Sequence, residues 1–445
     1  SASFGSGSRT LIDTQTKDPQ TGAPIPIAVD VPNDPRSGII VSGPGTAAVL
    51  VGVVPFVFAD ADANHDGFIT ANEFSGSQQL FDSYDSPFQP KLKDNKLSPS
   101  EAPSFVPSAT FDNAKPADHV GELRLPDVGS AGTTAGGIET VGNNVATSLP
   151  AQGARLTVVA AGDVLLGSRG SIGTLEGGDV TVASLTGAVR GGVPPAGTID
   201  QRGIFSLYAS PTSGASTRPA EPTGGGDILV DAYGDIDVGG LAIAALSGGD
   251  ITVGSRAASF KGGVSSPFAD PSVRFDPQAN LVVASFEGGG LNASGDPKGD
   301  VTIKAVKDID IGAGITGGNI NLGAGGNITS SGSGAIAGST VTLGAAGTIT
   351  GNVSAVGAVT VTGGTVTGGS MSSSTGLVTG AGSGVGSNAG GSKTSADTNL
   401  ASQQMAQNGS LSGSGLGDAA GAGGPRQGVR IDVSSQPCKN RVTCD

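Results

Sequence analysis

Large aromatic side chains are scarce in this chain. Its 445 residues include no Trp, 3 Tyr and 14 Phe, against 77 Gly. Large side chains are too few to fill a broad globular core. The composition suits a narrow stack in which each layer needs only small interior residues. The composition therefore favours a slim repetitive architecture.

Basic residues are also few. The chain has 24 Lys and Arg against 38 Asp and Glu, which gives a net charge of −14. This balance argues against nucleic acid, whose phosphates need clusters of Lys and Arg, and against a polybasic membrane patch. No stretch of about 20 apolar residues occurs, so we expect no membrane span. The acidity indicates solubility first and calcium affinity second.

Cysteine is nearly absent, and the two that occur are close together. Cys438 and Cys444 are separated by five residues. The simplest interpretation is a small disulfide loop formed in an oxidising compartment. A redox-active pair and two zinc ligands are alternatives, although there is no Cys-x-x-Cys motif and no His nearby.

The chain is instead rich in one repeat. Residues 299–311, 318–329 and 339–350 each hold two short strands of alternating apolar and polar residues. The leading polar residues of the two strands are 8 positions apart, and the units recur at 19 and then 21 residues: Asp300 and Asp308, Asn319 and Asn327, Thr340 and Thr348. A fixed period near 20 predicts a β-solenoid, here a right-handed parallel β-helix, with an open antiparallel sheet or sandwich as the alternative.

Stacking of these units would place equivalent residues above one another. The two polar ladders would then read Asp, Asn, Thr, with no two carboxylates in neighbouring rungs, which avoids repulsion between like charges. The apolar pairs at 301 and 303, 320 and 322, and 341 and 343 would stack as the core.

The same pattern starts near Arg155 and is interrupted by two Pro-containing insertions, about residues 190–222 and 255–280, which either carry binding or shield the coils. We therefore expect a mostly β protein with these parts: an N-terminal cap (1–57), a calcium module (58–105), a loop-rich connector (106–154), the solenoid (155–370), a Gly/Ser/Ala-rich segment (371–427), and a terminal strand with the cysteine loop (428–445).

One sharp chemical motif lies in the second part. Residues 62–73 match the twelve-residue EF-hand loop at every defining position, including the glycine at position 6. The predicted calcium ligands are Asp62, Asn64, Asp66, the carbonyl of Phe68, Thr70 and Glu73. His65, at position 4, is expected to point to solvent, and a metal-free turn is the alternative for the whole segment.

A partner loop follows, although its first half departs from the pattern. Asp94, the Lys96 carbonyl, Ser98 and Glu101 match the second half of a loop, whereas Pro90 and Leu92 stand where oxygen ligands belong. Asp82 or Asp85 would complete the set through a longer entry. The alternative is a pseudo-loop that only braces the first one.

This pair resembles the calcium-binding EF-hand family, whose loops act as sensors, buffers or structural clamps. The flanking helices look short and limited by proline, so little could swing open. We therefore expect a clamp that ambient extracellular calcium keeps filled, rather than a sensor or buffer.

The repeats at 299–350 also look like the β-helical repeats of the filamentous-haemagglutinin family of bacterial exoproteins. That resemblance implies a secreted or surface-displayed adhesive fibre of a Gram-negative bacterium, exported by two-partner secretion. It also implies that Cys438 and Cys444 form a disulfide loop like the one that holds some of these adhesins at the outer membrane.

The expected function is therefore a calcium-stabilised structural fibre or adhesin rather than an enzyme. Its expected partners are copies of itself, in a surface filament, and a host or neighbouring cell surface. The alternative is a β-helix polysaccharide lyase or hydrolase, for which Asp200, Asp231 and Asp237 are available carboxylates. The absence of Trp counts against sugar binding.

Overall fold

A computed structural model shows how the strands are stacked. It describes residues 2–3, 9–13, 27–31, 37–42, 46–85, 88, 93–108, 121–125, 136–141, 155–168, 170–174, 177–193, 203–207, 225–246, 248–263, 269–276, 281–287, 289–295, 297–331, 334–375 and 377–380.

These residues form short strands and two short helices. Up to residue 141 the elements are β1 (Ala2–Ser3), β2 (Arg9–Asp13), β3 (Ile27–Val31), β4 (Ser37–Ser42), β5 (Thr46–Val51), β6 (Val53–Pro55), α1 (Phe58–Ala61), β7 (Ile69–Thr70), α2 (Gln78–Tyr84), β8 (Lys96–Leu97), β9 (Phe105–Pro107), β10 (Leu123–Arg124) and β11 (Gly136–Val141).

The rest of the described chain is entirely strand and turn. Its strands are β12 (Arg155–Ala160), β13 (Val164–Leu165), β14 (Ser171–Thr174), β15 (Val180–Ser184), β16 (Val189–Arg190), β17 (Gly203–Ser206), β18 (Ile228–Ala232), β19 (Ile236–Asp237), β20 (Ala242–Ala245), β21 (Ile251–Ser255), β22 (Phe260–Lys261), β23 (Ala269–Asp276), β24 (Leu281–Glu287), β25 (Gly290–Ala293), β26 (Val301–Ala305), β27 (Ile309–Ile311), β28 (Ile315–Thr316), β29 (Asn319–Ala324), β30 (Ile328–Ser330), β31 (Ala335–Gly338), β32 (Thr340–Ala345), β33 (Thr348–Thr350), β34 (Asn352–Ala355), β35 (Val359–Val361), β36 (Thr365–Gly368), β37 (Met371–Ser373) and β38 (Val378–Gly380).

Most of the strands belong to three long sheets. Sheet 1 has the order β1-β10-β13-β16-β19-β22-β27-β30-β33-β36. Sheet 2 has the order β3-β2-β4-β11-β14-β17-β20-β25-β28-β31-β34-β37. Sheet 3 has the order β5-β12-β15-β18-β21-β26-β29-β32-β35-β38. Every pairing in them is parallel except that of β2 with β3 at one edge of sheet 2.

Successive strands visit the three sheets in turn. The chain runs through β12 in sheet 3, β13 in sheet 1 and β14 in sheet 2, and then returns as β15 beside β12. This strand order is the one expected of a β-solenoid with one repeat per coil. The alternative of an open antiparallel sheet or sandwich is therefore wrong.

The core runs along the axis of the stack. Val301 lies opposite Ile320, and Ile320 lies opposite Val341, in the predicted register. All three side chains are at most 1% exposed. Each interior position is thus a ladder of aliphatic side chains, and the predicted apolar stacking is confirmed.

The polar ladder of sheet 3 is longer than the three rungs read from the sequence. Below Asp300 it continues through Asp250, Asp227 and Asp179 in successive coils. Each of these carboxylates accepts a hydrogen bond from the backbone N–H of the equivalent residue in the next coil, at 2.7 Å for Asp250, 2.9 Å for Asp227 and 3.1 Å for Asp179. Asp300 accepts the next such bond, from Asn319 N, at 2.7 Å. Four aspartates therefore occupy neighbouring rungs, which the short ladder did not indicate.

A third strand per coil and several boundaries also differ from expectation. β14, β20 and β31 form sheet 2 from Gly-, Ala- and Ser-rich sequence, where only two strands per unit were predicted. β17 and β22 are regular coil strands inside the stretches 190–222 and 255–280 that we expected to be insertions. The part of the second stretch that leaves the coil is β23, which forms an antiparallel hairpin with β24 just after that stretch.

The coils also begin earlier than residue 155. β5 pairs with β12 in sheet 3, and β11 pairs with β14 in sheet 2. The expected cap and connector therefore contribute strands to the same three sheets. β3, paired antiparallel to β2, ends one edge of sheet 2.

Between β5 and β10 the chain leaves the coil and forms a small body, the inserted module (residues 53–108). Its base is the antiparallel pair β6 and β9, and Ser108 N donates to Gly52 O across that base at 2.8 Å. Its helices α1 and α2 have 4 and 7 residues. No helix in the described part of the chain is long and apolar enough to cross a membrane.

Several predictions fall outside the described residues. They are the disulfide between Cys438 and Cys444, the terminal strand at 428–433, and all of the Gly/Ser/Ala-rich segment beyond residue 380. Where that segment is described, β37 and β38 continue the stack.

Candidate metal centre

The first predicted loop starts where helix α1 ends. Asp62 is the C-terminal cap of α1 and is 6% exposed. Its Oδ1 accepts a hydrogen bond from Asp66 N at 3.2 Å, and its Oδ2 accepts one from Gly67 N at 3.0 Å. The carboxylate of position 1 is thus turned into the loop, and the chain is folded around it.

The middle of this loop is a sequence of tight turns. Asn64 Oδ1 accepts from Asp66 N, and Asp66 Oδ1 accepts from Phe68 N, each at 2.9 Å. Gly67 has a φ of 84°, a conformation that side chains disfavour, which explains glycine at this position. His65 is exposed, as predicted for position 4.

The loop ends with a carboxylate that reaches back. Glu73 Oε2 accepts from Thr70 N at 2.9 Å and from Thr70 Oγ1 at 2.8 Å. These two donors to the charged form hold the pKa of Glu73 below its usual value. Glu73 is therefore ionised and oriented, as a bidentate ligand at position 12 has to be.

The second loop repeats this arrangement, with Asp85 in the place of Asp62. Asp85 caps helix α2 and is 2% exposed. Its Oδ2 accepts from Asn95 N at 3.0 Å, and its Oδ1 accepts from Asp94 N at 3.4 Å. Asp85 and Asp94 are nine residues apart, against four between Asp62 and Asp66, so the loop contains five additional residues.

The second half of that loop matches the first loop contact by contact. Asp94 Oδ1 accepts from Lys96 N at 3.0 Å, and Asn95 takes the left-handed φ of 61° at position 6. Glu101 Oε2 accepts from Ser98 N at 3.0 Å and from Ser98 Oγ at 2.7 Å. The longer entry considered from the sequence is therefore what the structure has, and Asp85 closes it.

Asp82, the other candidate for this role, lies elsewhere. It is on the exposed side of α2, where its Oδ1 accepts from Gln78 Nε2 at 2.7 Å. The Lys96 side chain reaches across to the first loop, with its Nζ 4.0 Å from Asp66 Oδ2 and 5.0 Å from the Phe68 ring centroid. The structure thus separates Asp82 from the loop and connects the two loops through Lys96.

The two loops are joined back to back. Ile69 of β7 lies opposite Leu97 of β8, and both side chains are fully buried. Beneath them, the ring of Phe74 contacts those of Phe56 and Phe81, with centroids 5.4 and 5.7 Å apart. This apolar layer packs directly on the outer face of sheet 3.

The chemistry of the donor set fits calcium. Each loop offers carboxylate oxygens at its first, fifth and twelfth positions, with a backbone carbonyl and a hydroxyl between, and the first loop adds the amide oxygen of Asn64. A hard cation such as Ca²⁺ takes six to eight ligands of this type. In the described residues, no three His, Cys, Asp or Glu side chains are grouped so that they could hold a metal ion. The residue types fit calcium, but the three carboxylates of each loop are not gathered around one point in this structure.

The carboxylates considered for sugar chemistry are not together. Asp231 lies on β18 of sheet 3, with Oδ2 3.2 Å from Arg256 Nε, whereas Asp237 lies on β19 of sheet 1 and accepts from Gly239 N. Asp200 is outside the described residues. These positions give no paired carboxylates at a shared cleft.

Arg256 is the residue that sequence reasoning missed. It follows β21 and reaches the inserted module from a coil 173 residues away from its partner Ser83. No local pattern marks such a contact, because only the folded coil brings the two segments together.

Comparison with known proteins adds no relative. No family model matches the chain, no curated protein matches it, and no solved structure matches it.

Proposed function

We propose that this protein is a calcium-stabilised structural fibre protein or adhesin of the cell surface, with a right-handed solenoid as its rod and an EF-hand-like pair as a clamp. The observation that carries the proposal is the position of the module. It interrupts a coil and packs its apolar layer on the neighbouring coils. A module so placed stabilises a rod rather than moving relative to it.

Two calcium ions would be held by the two loops. In the first loop the donors would be Asp62, Asn64, Asp66, the Phe68 carbonyl, Thr70 and Glu73. In the second loop they would be the equivalent residues, from Asp85 to Glu101. Calcium would draw the carboxylates of each loop together and neutralise them. The protein's own residues already orient them through backbone N–H groups.

The extracellular assignment rests on the resemblance to bacterial exoproteins, and it is compatible with a calcium clamp. Extracellular calcium modules have dissociation constants of about 10⁻⁴–10⁻³ M and stay filled only where calcium is abundant. A secreted or surface-displayed protein, for which the resemblance implies a Gram-negative bacterium, meets that condition. The disulfide proposed for Cys438 and Cys444 needs the same oxidising surroundings.

The proposal is tested by limited proteolysis of the full chain with calcium, with EDTA, and in the variant Glu73→Ala. Because Glu73 supplies the last carboxylate of the first loop, we expect EDTA and the variant to speed cleavage within residues 45–105. The coils at 299–364 should stay protected in every case, since each of their strands pairs with the coils on either side of it. Calcium binding by calorimetry should weaken in the variant.

The matched control is Asp60→Ala, which removes an exposed carboxylate of the same module that is not among the donors. It should behave like the wild type. Cleavage patterns that are identical with calcium, with EDTA and in Glu73→Ala would contradict a structural metal.

A further inference from the structure

Arg256 is a buried arginine between the coils and the inserted module. Its side chain is 3% exposed. Nη1 donates to Ser83 Oγ of helix α2 at 2.8 Å, while Nη2 lies 3.3 and 3.2 Å from the carbonyl oxygens of Ser184 and Leu185, which belong to a coil two below that of Arg256. One guanidinium therefore binds both bodies.

Two further contacts complete its surroundings. Arg256 Nε is 3.2 Å from Asp231 Oδ2, which is the one carboxylate that faces it from the coils. From the module, the Tyr84 ring stacks on the guanidinium, with its centroid 4.0 Å from Cζ. Arginine is suited to this place because its planar group pairs with a carboxylate and stacks on an aromatic ring at the same time.

The residues that hold Arg256 on the module side directly precede a candidate metal ligand. Ser83, Tyr84 and Asp85 are consecutive, and Asp85 is the cap of α2 whose carboxylate closes the second loop. Two features therefore position the Asp85 carboxylate. They are its hydrogen bonds within the second loop and the last turn of α2, which Arg256 contacts.

One described residue in the entry to the second loop, Phe88, also lies on the coils. Phe88 is in the five-residue insertion, and Lys304 Nζ of β26 lies 5.9 Å from its ring centroid. At Gly254 on β21, an added Cβ would come within 3.5 Å of the Phe88 ring. That is an ordinary van der Waals distance, so Phe88 lies directly against β21 and contacts the solenoid as well.

We infer that docking of the module on the solenoid and calcium binding at the second loop are thermodynamically coupled, with Arg256 as the positioning residue. The inference rests on the proposed function, because it requires that the loops bind calcium. Coupling is reciprocal: whatever weakens docking weakens binding at the second loop, and calcium there strengthens docking. None of the described contacts of Arg256 involves the first loop, which is connected to the second through the β7–β8 pair and Lys96. The effect on calcium binding at the first loop should therefore be smaller.

The test is a calcium titration of the full chain by calorimetry. Glu73→Gln and Glu101→Gln assign the two binding steps to the first and second loops. In Arg256→Gln we expect the second-loop affinity to fall by about five-fold or more, the lower end of typical coupling between sites. The first-loop affinity should change less.

The matched control is Arg190→Gln, the same substitution at an exposed arginine of sheet 1. It should leave both affinities as in the wild type. Because Arg256→Gln leaves Asp231 without its partner, a second variant, Ser83→Ala, weakens docking from the module side and keeps that ion pair. It should lower chiefly the calcium affinity of the second loop, and by less than Arg256→Gln does.

The outcomes separate this inference from the proposed function. Two calcium steps that both stay unchanged in Arg256→Gln and Ser83→Ala would overturn the coupling and leave the calcium clamp intact. A single step that Glu73→Gln removes and Glu101→Gln does not would overturn it in the same way. No calcium binding by the wild type would overturn both. Selective weakening of the step assigned to Glu101 would support the coupling.

Discussion

At the scale of single residues, the least favourable feature is the column of four aspartates on sheet 3. Burial, with the neighbouring charge of Asp300, raises the pKa of Asp250. The next residue in the column avoids such repulsion between charges, because it is Asn319, whose Nδ2 lies 3.0 and 3.1 Å from the two carboxylate oxygens of Asp300. An amide both accepts from the next coil and donates to the previous one, whereas a carboxylate can only accept.

Asp250→Asn should therefore stabilise the coils at neutral pH. A like-charge contact between adjacent strands is replaced by an amide–carboxylate contact, and such pairs are worth about 0.2–1 kcal/mol. The folded-state pKa of Asp250 is raised, so the unfavourable charge of the wild type disappears as the pH falls through that value. The gain should accordingly shrink in acid, and thermal unfolding at pH 7 and at pH 4 measures it.

Asp235→Asn is the control for this prediction. Asp235 also accepts a backbone N–H from the next coil, that of Ser259 at 3.0 Å, but its ladder neighbours Ala188 and Ser259 are uncharged. The substitution should be close to neutral. Equal effects at positions 235 and 250 would mean that repulsion within the column does not matter.

At the scale of elements, each strand is stabilised mainly by the coils on either side of it. Ile303 is fully buried and stacks on Val253 and Leu322 in register. In such repeat stacks stability is a sum of terms between neighbours, so damage stays local. The inserted module rests its apolar layer on β12 and β15 and meets β26 at the outward-facing residue Lys304. Ile303 is on the opposite, core face of β26, so a change there should affect the module little.

Ile303→Ala should cost about 2–5 kcal/mol, the usual range for truncating a buried aliphatic side chain to alanine. Hydrogen exchange should accelerate in residues 299–345 and stay slow in residues 53–85. Thr302→Ala, at the adjacent outward-facing position, should have little effect. Acceleration that spreads equally to the module would show one cooperative unit in place of local coupling.

What the sequence allowed at this scale can be seen from particular elements. β26, β29 and β32 were predictable because strict alternation and a period near 20 occur together, and so was the first loop, because all its donors are local. The strands of sheet 2 were missed, since Ser171–Thr174 or Ala335–Gly338 shows no alternation between apolar and polar residues. For the first position of the second loop the sequence left two candidates, Asp82 and Asp85, and only the folded contacts of Asp85 with Asp94 and Asn95 distinguish them. Arg256 could not be predicted, because its contacts are with residues distant in sequence.

At the scale of the whole molecule, the described coils form a short rod. Sheet 3 stacks 10 strands, which at about 4.8 Å per rung spans about 40 Å. A fibre of visible length would therefore need rods joined end to end. At one end of the described stack the strands β36, β37 and β38 each have a neighbour on one side only. Such an edge is a place where another strand can pair.

End-to-end assembly predicts filaments in negative-stain electron microscopy of the purified protein, with an axial repeat along the rod. Calcium should favour them, because the clamp stabilises the coils next to it. Dispersed single particles with calcium and with EDTA, at every concentration tested, would contradict assembly while leaving the clamp itself untouched.

The way in which the module leaves and rejoins the solenoid has a consequence for protein engineering. Gly52 and Ser108 are hydrogen-bonded neighbours, so the 55 residues between them start and finish at nearly the same point on the rod. A foreign domain with adjacent termini could take that place without altering the path of the coils. The junction of Gly52 and Ser108 is therefore a site at which an inserted domain would be displayed on the side of the rod.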